Sequence, residues 1–204
     1  VGYGTAKIYI EAGGQENEYP TNVFVESDGY VAMEADHFNE RKATGNSGFE
    51  ILSPYGRTDH AIKVFPVTKD FYDEKERPWV AYDFYVHREG NYQIRFYLAA
   101  TTPVVYERKQ YIGFSTNENE IQIVNTVKEE EKQFFISDQW SKEAYEQIKI
   151  TDSVVKCKKG CNRLYFYAMS PAIVLERIVI WKEGMELPES YLGPKESFYN
   201  DDLV

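Results

Sequence analysis

The sequence predicts an all-β protein, an antiparallel two-sheet β-sandwich of the jelly-roll kind. Three observations carry this: many short segments whose apolar residues alternate with a period of two, glycine-bearing turns between them, and very little helical periodicity. Successive side chains of a strand point to opposite faces, so alternation marks a sheet with one face buried. A hydrophobic share of 43% with 16% aromatics excludes a disordered chain, and 204 residues suit one large β domain with a short attachment.

In chain order, residues 5–12 read as a strand and are followed by the polar break Gly13-Gly14-Gln15-Glu16-Asn17-Glu18. Residues 1–22 are therefore expected to be a linker or the last strand of an upstream domain, and residues 23–204 the sandwich with a docking C-terminal tail. Strands are predicted over 30–36, 61–65, 79–86, 91–100, 111–115, 121–127, 148–155, 164–169 and 173–181. In the fourth of these Tyr92, Ile94, Phe96 and Leu98 share one face, while Gln93, Arg95, Tyr97 and Ala99 share the other. Arg88-Glu89-Gly90-Asn91 and Lys158-Lys159-Gly160 each place a glycine between two β runs and predict hairpins. One short helix is expected over 137–147, where Ser137 or Asp138 caps a turn containing Trp140 and Tyr145. The charge run Glu129-Glu130-Glu131-Lys132 reads as a solvated loop.

The net charge of -10 argues against nucleic acid, which needs clustered Lys and Arg. No apolar stretch approaches the ~18 to 20 residues that span a bilayer, so no membrane partner is expected. Val1-Gly2-Tyr3-Gly4 carries no signal-peptide pattern, which places any targeting signal outside this chain. Cys157 and Cys161 flank a tight turn and read equally as a disulfide or as two free thiols. Zinc would need two further ligands, and His37, His60 and His87 show no ligand spacing.

Tyr92, Phe96, Tyr82 and Phe84 occupy alternating positions and read as core. Tyr55, Trp79, Tyr106 and Trp140 lie in expected loops or strand ends and, with Arg57, are the candidates for stacking on a sugar. Glu34 and Asp36 lie two apart on one expected strand and share a face. Glu176 shares an otherwise apolar face with Val174, Ile178 and Ile180, where a carboxylate must be paired. Tyr191 and Leu192 form an apolar pair in a charged tail and read as docking anchors. With 33 acidic residues, close acid pairs arise by chance and no catalytic pair is named.

Three blocks resemble the C-terminal domain of glycoside hydrolase family 115, the xylan α-glucuronidases. They are residues 24–38 with Glu34-Ala35-Asp36-His37, residues 56–68 opening on Gly56-Arg57-Thr58, and residues 170–180 with Ser170-Pro171-Ala172 followed by residues 188–197 with Tyr191-Leu192-Gly193-Pro194. The resemblance implies a non-catalytic accessory domain packed against an upstream catalytic domain, in a parent that removes (4-O-methyl)glucuronic acid from glucuronoxylan. It implies xylan oligosaccharide and a homodimer as candidate partners, and a parent that works outside the bacterial cytoplasm. Two further readings are a stand-alone carbohydrate-binding module and a structural or dimer-forming domain. Glu34, Asp36 and Glu176 also resemble the acids with which carbohydrate-binding modules of families 6 and 35 hold a structural Ca²⁺, while a pairing with Arg177, Arg95 or Lys63 explains the same residues.

Overall fold

The computed structural model describes residues 19–104, 109–127, 138–187 and 190–201, so the expected strand at 5–12, the charge run at 129–132 and Tyr106 lie outside the described residues. The described strands are, in chain order, β1 (Val23–Val25), β2 (Tyr30–Glu34), β3 (Glu40–Lys42), β4 (Gly48–Leu52), β5 (Ala61–Phe65), β6 (Trp79–Val86), β7 (Gly90–Leu98), β8 (Tyr111–Thr116), β9 (Gln122–Asn125), β10 (Lys149–Cys157), β11 (Gly160–Tyr167), β12 (Val174–Lys182) and β13 (Tyr199–Asn200), with one helix, α1 (Asp138–Glu146). They form two sheets. The first runs β13-β1-β6-β11-β8-β9 with β3 also on β6, and the second runs β10-β7-β12-β5-β4 with β2 also on β12. Pairing is antiparallel except between β1 and β6.

The alternation places the core between the sheets. Tyr92, Ile94, Phe96 and Leu98 of β7 meet Val80, Tyr82, Phe84, Phe114, Leu164 and Phe166 of the opposite sheet in one cluster of buried residues. Burying each such side chain contributes ~1.5 to 3 kcal/mol. β12 differs, because eight of its nine residues are buried and it is a continuous apolar run rather than an alternating one. Its second face, with Val179 and Trp181, packs with Ala32, Tyr97 and Ile148 on the outside of the sheet.

Two expectations are corrected. Neither glycine turn closes a hairpin: β6 belongs to the first sheet and β7 to the second, and β10 and β11 are divided in the same way. Both turns arch between layers, and Gly90 (φ 146°) and Gly160 (φ 94°) supply the positive φ that the reversal needs. The hairpins that do form join β4 to β5 and β8 to β9. Asp36 does not extend β2, which ends at Glu34. The thiols are unbridged: Cys157 is buried in the core and Cys161 exposed.

Candidate functional site

The site begins at a β-bulge. Opposite β7 the register passes from Leu175 to Arg177, leaving Glu176 as the extra residue. Bulges re-aim side chains. Leu175, Ile178 and Ile180 point into the core, so Glu176 does not share a face with Ile178 and Ile180 as simple alternation predicts. Its carboxylate is turned to the outside of the second sheet, beneath the β4–β5 loop. There Oε2 accepts the backbone N–H of Arg57 at 3.1 Å. Gly56 makes the approach feasible: its φ is +72°, and a Cβ there would stand 2.7 Å from Glu176 Cδ. Glu176 is 2% exposed. Burial raises its pKa above the ordinary carboxylate value, the amide and charge of Arg57 oppose this, the Glu34 charge adds to it and Arg177 opposes it.

Arg57 ties three segments together. Nη1 donates to the Tyr191 carbonyl, Nη2 donates to the Glu146 carbonyl at 2.8 Å, and the guanidinium lies 3.9 Å from the Tyr191 ring centroid. The Tyr191 hydroxyl also donates to the Glu146 carbonyl, at 3.4 Å. The loop, the end of α1 and the tail thus meet at one cation. Tyr191 and Leu192 remain 62% and 50% exposed although their backbone is held.

Arg177, one residue past the bulge and 6% exposed, secures the tail from below. It donates through Nη1 to the carbonyls of Leu192 (2.5 Å) and Pro194 (2.6 Å), and through Nη2 to Glu34. The β2–β12 register sets Glu34 directly opposite Arg177. Thr58 donates to the other Glu34 oxygen at 2.7 Å. Further along, Glu196 accepts from the Glu34 N–H (2.8 Å) and meets His37 Nδ1 at 2.8 Å. Burial lowers the His37 pKa, but the hydrogen bond and charge of Glu196 and the charges of Asp36 and Glu34 outweigh it, so the net shift is upward.

Above the bulge opens a cavity of about 1030 Å³ whose lining includes Tyr55, Arg57, Glu176 and Tyr191. Thr58, Asp59, Thr101 and Gln147 complete its polar wall and Ala99 and Ala100 its apolar one. Burial first, and then the Glu176 charge, raise the Tyr55 pKa above its ordinary value, which fits a phenol beside that carboxylate. The remaining candidates separate. Trp79 is on the first sheet, edge-on to Tyr165 at 5.1 Å, and Trp140 sits in the first turn of α1, outside the lining that α1 provides through Ala144. Asp59, Thr101 and Gln147 carried no signal in the sequence, because only the convergence of three connections brings them together.

The acids do not fit a Ca²⁺ site, which needs six to eight oxygens around one point. Both Glu34 oxygens are taken by Arg177 and Thr58, Glu176 Oε2 is taken by the Arg57 amide, and Asp36 stands 3.7 Å from both His37 and His60. Among the described residues no group of three or more His, Cys, Asp or Glu side chains is arranged to hold a metal ion.

The described residues thus form a two-layer β-sandwich with a ligand-sized cavity over one sheet. The chain belongs to the glycosyl hydrolase family 115 C-terminal domain family, which it matches over residues 23–196. Among solved structures it is similar to the family GH115 4-O-methyl-α-glucuronidase BtGH115A, with specificity for decorated arabinogalactans, at 12% identity and TM-score 0.57 over 74% of this chain and 17% of that one. The chain thus spans about a sixth of that enzyme. It is also similar to the Podospora anserina GH26-CBM35 β-(1,4)-mannanase (13% identity, TM-score 0.50, 79% of this chain and 29% of that one) and to a family 35 carbohydrate-binding module from Clostridium thermocellum (12%, 0.48, 74% and 96%). No curated protein matches the chain.

Proposed function

We propose that the chain is the non-catalytic C-terminal accessory domain of a xylan α-glucuronidase that removes (4-O-methyl)glucuronic acid from glucuronoxylan, and that its cavity receives a saccharide. The observation that supports this is the convergence of Tyr55, Arg57, Glu176 and Tyr191, from a loop, a strand bulge and the tail, on one open cavity. Rings and hydrogen-bonding groups around a concave surface suit a sugar, which offers apolar faces and a rim of hydroxyls. Catalysis belongs to the upstream part of the parent, because Glu176 is committed to holding the Arg57 amide and is not one of a proton-sharing acid pair. A second role, docking onto the catalytic part, is supported by Tyr191 and Leu192, an apolar pair held out to solvent.

Calorimetric titration with glucuronoxylan oligosaccharides tests the saccharide reading, and decorated arabinogalactan oligosaccharides are the comparison that BtGH115A suggests. Saturable heat is expected with one of them. No heat at millimolar ligand removes the saccharide site, and release of uronic acid by the purified chain alone removes the non-catalytic assignment.

A further inference from the structure

We infer that the cavity over the β12 bulge selects uncharged pyranose units and turns away the uronate itself, an inference that rests on the saccharide reading above. Its formal charges are Arg57, Asp59 and Glu176, two negative and one positive. The positive one is already engaged. The firmest grip on a carboxylate is the pair of parallel N–H groups of a free guanidinium. In Arg57 the two terminal nitrogens each donate to a carbonyl, of Tyr191 and of Glu146, the ring of Tyr191 lies against the plane, and Nε is buried. A uronate entering here gains no paired grip and has to shed water beside Glu176, itself nearly closed off from solvent.

A neutral sugar meets the same groups favourably. Its hydroxyls donate to the exposed Asp59 carboxylate, exchange hydrogen bonds with Thr58, Thr101 and Gln147, and leave a ring face for Tyr55 or Tyr191. The chain charge of -10 repels an anion at longer range as well. In a decorated polysaccharide this assigns the cavity to the backbone sugars and leaves the acidic branch free for another part of the parent.

The test titrates the 204-residue chain with methyl xyloside and with methyl glucuronide, each a single ring, at one ionic strength, alongside Asp59→Asn and Glu176→Gln. The xyloside is expected to bind at least about tenfold more tightly, and each variant to narrow that ratio by improving glucuronide binding. Asp59 is largely exposed, so its variant keeps the test decisive where Glu176→Gln alters the loop. Glucuronide binding as tightly as the xyloside overturns the selectivity and leaves the saccharide site standing. Binding of neither sugar removes the site, and the selectivity with it.

Discussion

The outer faces of the two sheets use charge in opposite ways. On the first sheet Arg163 spans Asp83 and Glu40 with short, well-formed bonds of 2.6 to 2.8 Å, in side chains 23 to 52% exposed. On the second, Arg177 and Glu34 are 8% and 12% exposed, and Arg177 also serves two carbonyls of the tail. Water and salt screen the first cluster, so such pairs contribute little. Water barely reaches the second, so removing one partner strands the other. Ion pairs of the same chemistry therefore have very different consequences, and the difference is burial by the tail.

The largest effect that sharpens this contrast is expected from Arg177→Leu, which takes the Arg177 donor from one Glu34 oxygen and from two carbonyls of the tail. A loss of about 3 to 5 kcal/mol in denaturant unfolding is expected, with a melting temperature lower by roughly 10 °C. A loss as small as that of a surface pair would break the comparison. Gly56→Ala comes next, at about 2 kcal/mol, because it combines a positive φ with a Cβ driven into the Glu176 carboxylate. Asp83→Asn is expected to cost under ~1 kcal/mol and to cost less still at high salt.

Smaller again is a pH effect at the tail. With the folded pKa of His37 above its unfolded value, the protonated ring favours the folded state. That contribution is complete below about pH 6.5 and disappears as pH rises through the folded value. Melting temperatures measured across this range should fall on the alkaline side, and His37→Gln should flatten the slope. A chelator is expected to change nothing in a thermal melt, since the Glu34 oxygens are already occupied by protein donors.

The layers and the core were legible because alternation reports facing directly: Tyr92, Ile94, Phe96 and Leu98 lie in the core as their spacing predicts. The assignment of strands to layers was not. A glycine turn joins two strands of one sheet or arches between two sheets with the same residues, and Gly90 and Gly160 do the latter. At the site, each residue was legible by itself, Tyr55 and Arg57 as sugar contacts, Glu176 as a paired or calcium-holding acid and Tyr191 as a docking anchor, but not their meeting at one cavity. The bulge was not, since one inserted residue leaves no mark on composition but breaks the period from which facing is inferred. Trp79, on the other sheet, and Trp140, outside the lining that α1 provides, show the converse limit: position at a strand or helix end does not say which layer or face a ring joins.

Cys157 gives the core a chemical clock. Burial, and then the charge of Glu26, push its thiol up to about 12, and its side chain is sealed among the packed rings, whereas Cys161 four residues on faces solvent. An alkylating reagent should mark Cys161 at once and Cys157 only when the two sheets part, so the second adduct counts global openings of the native protein one molecule at a time.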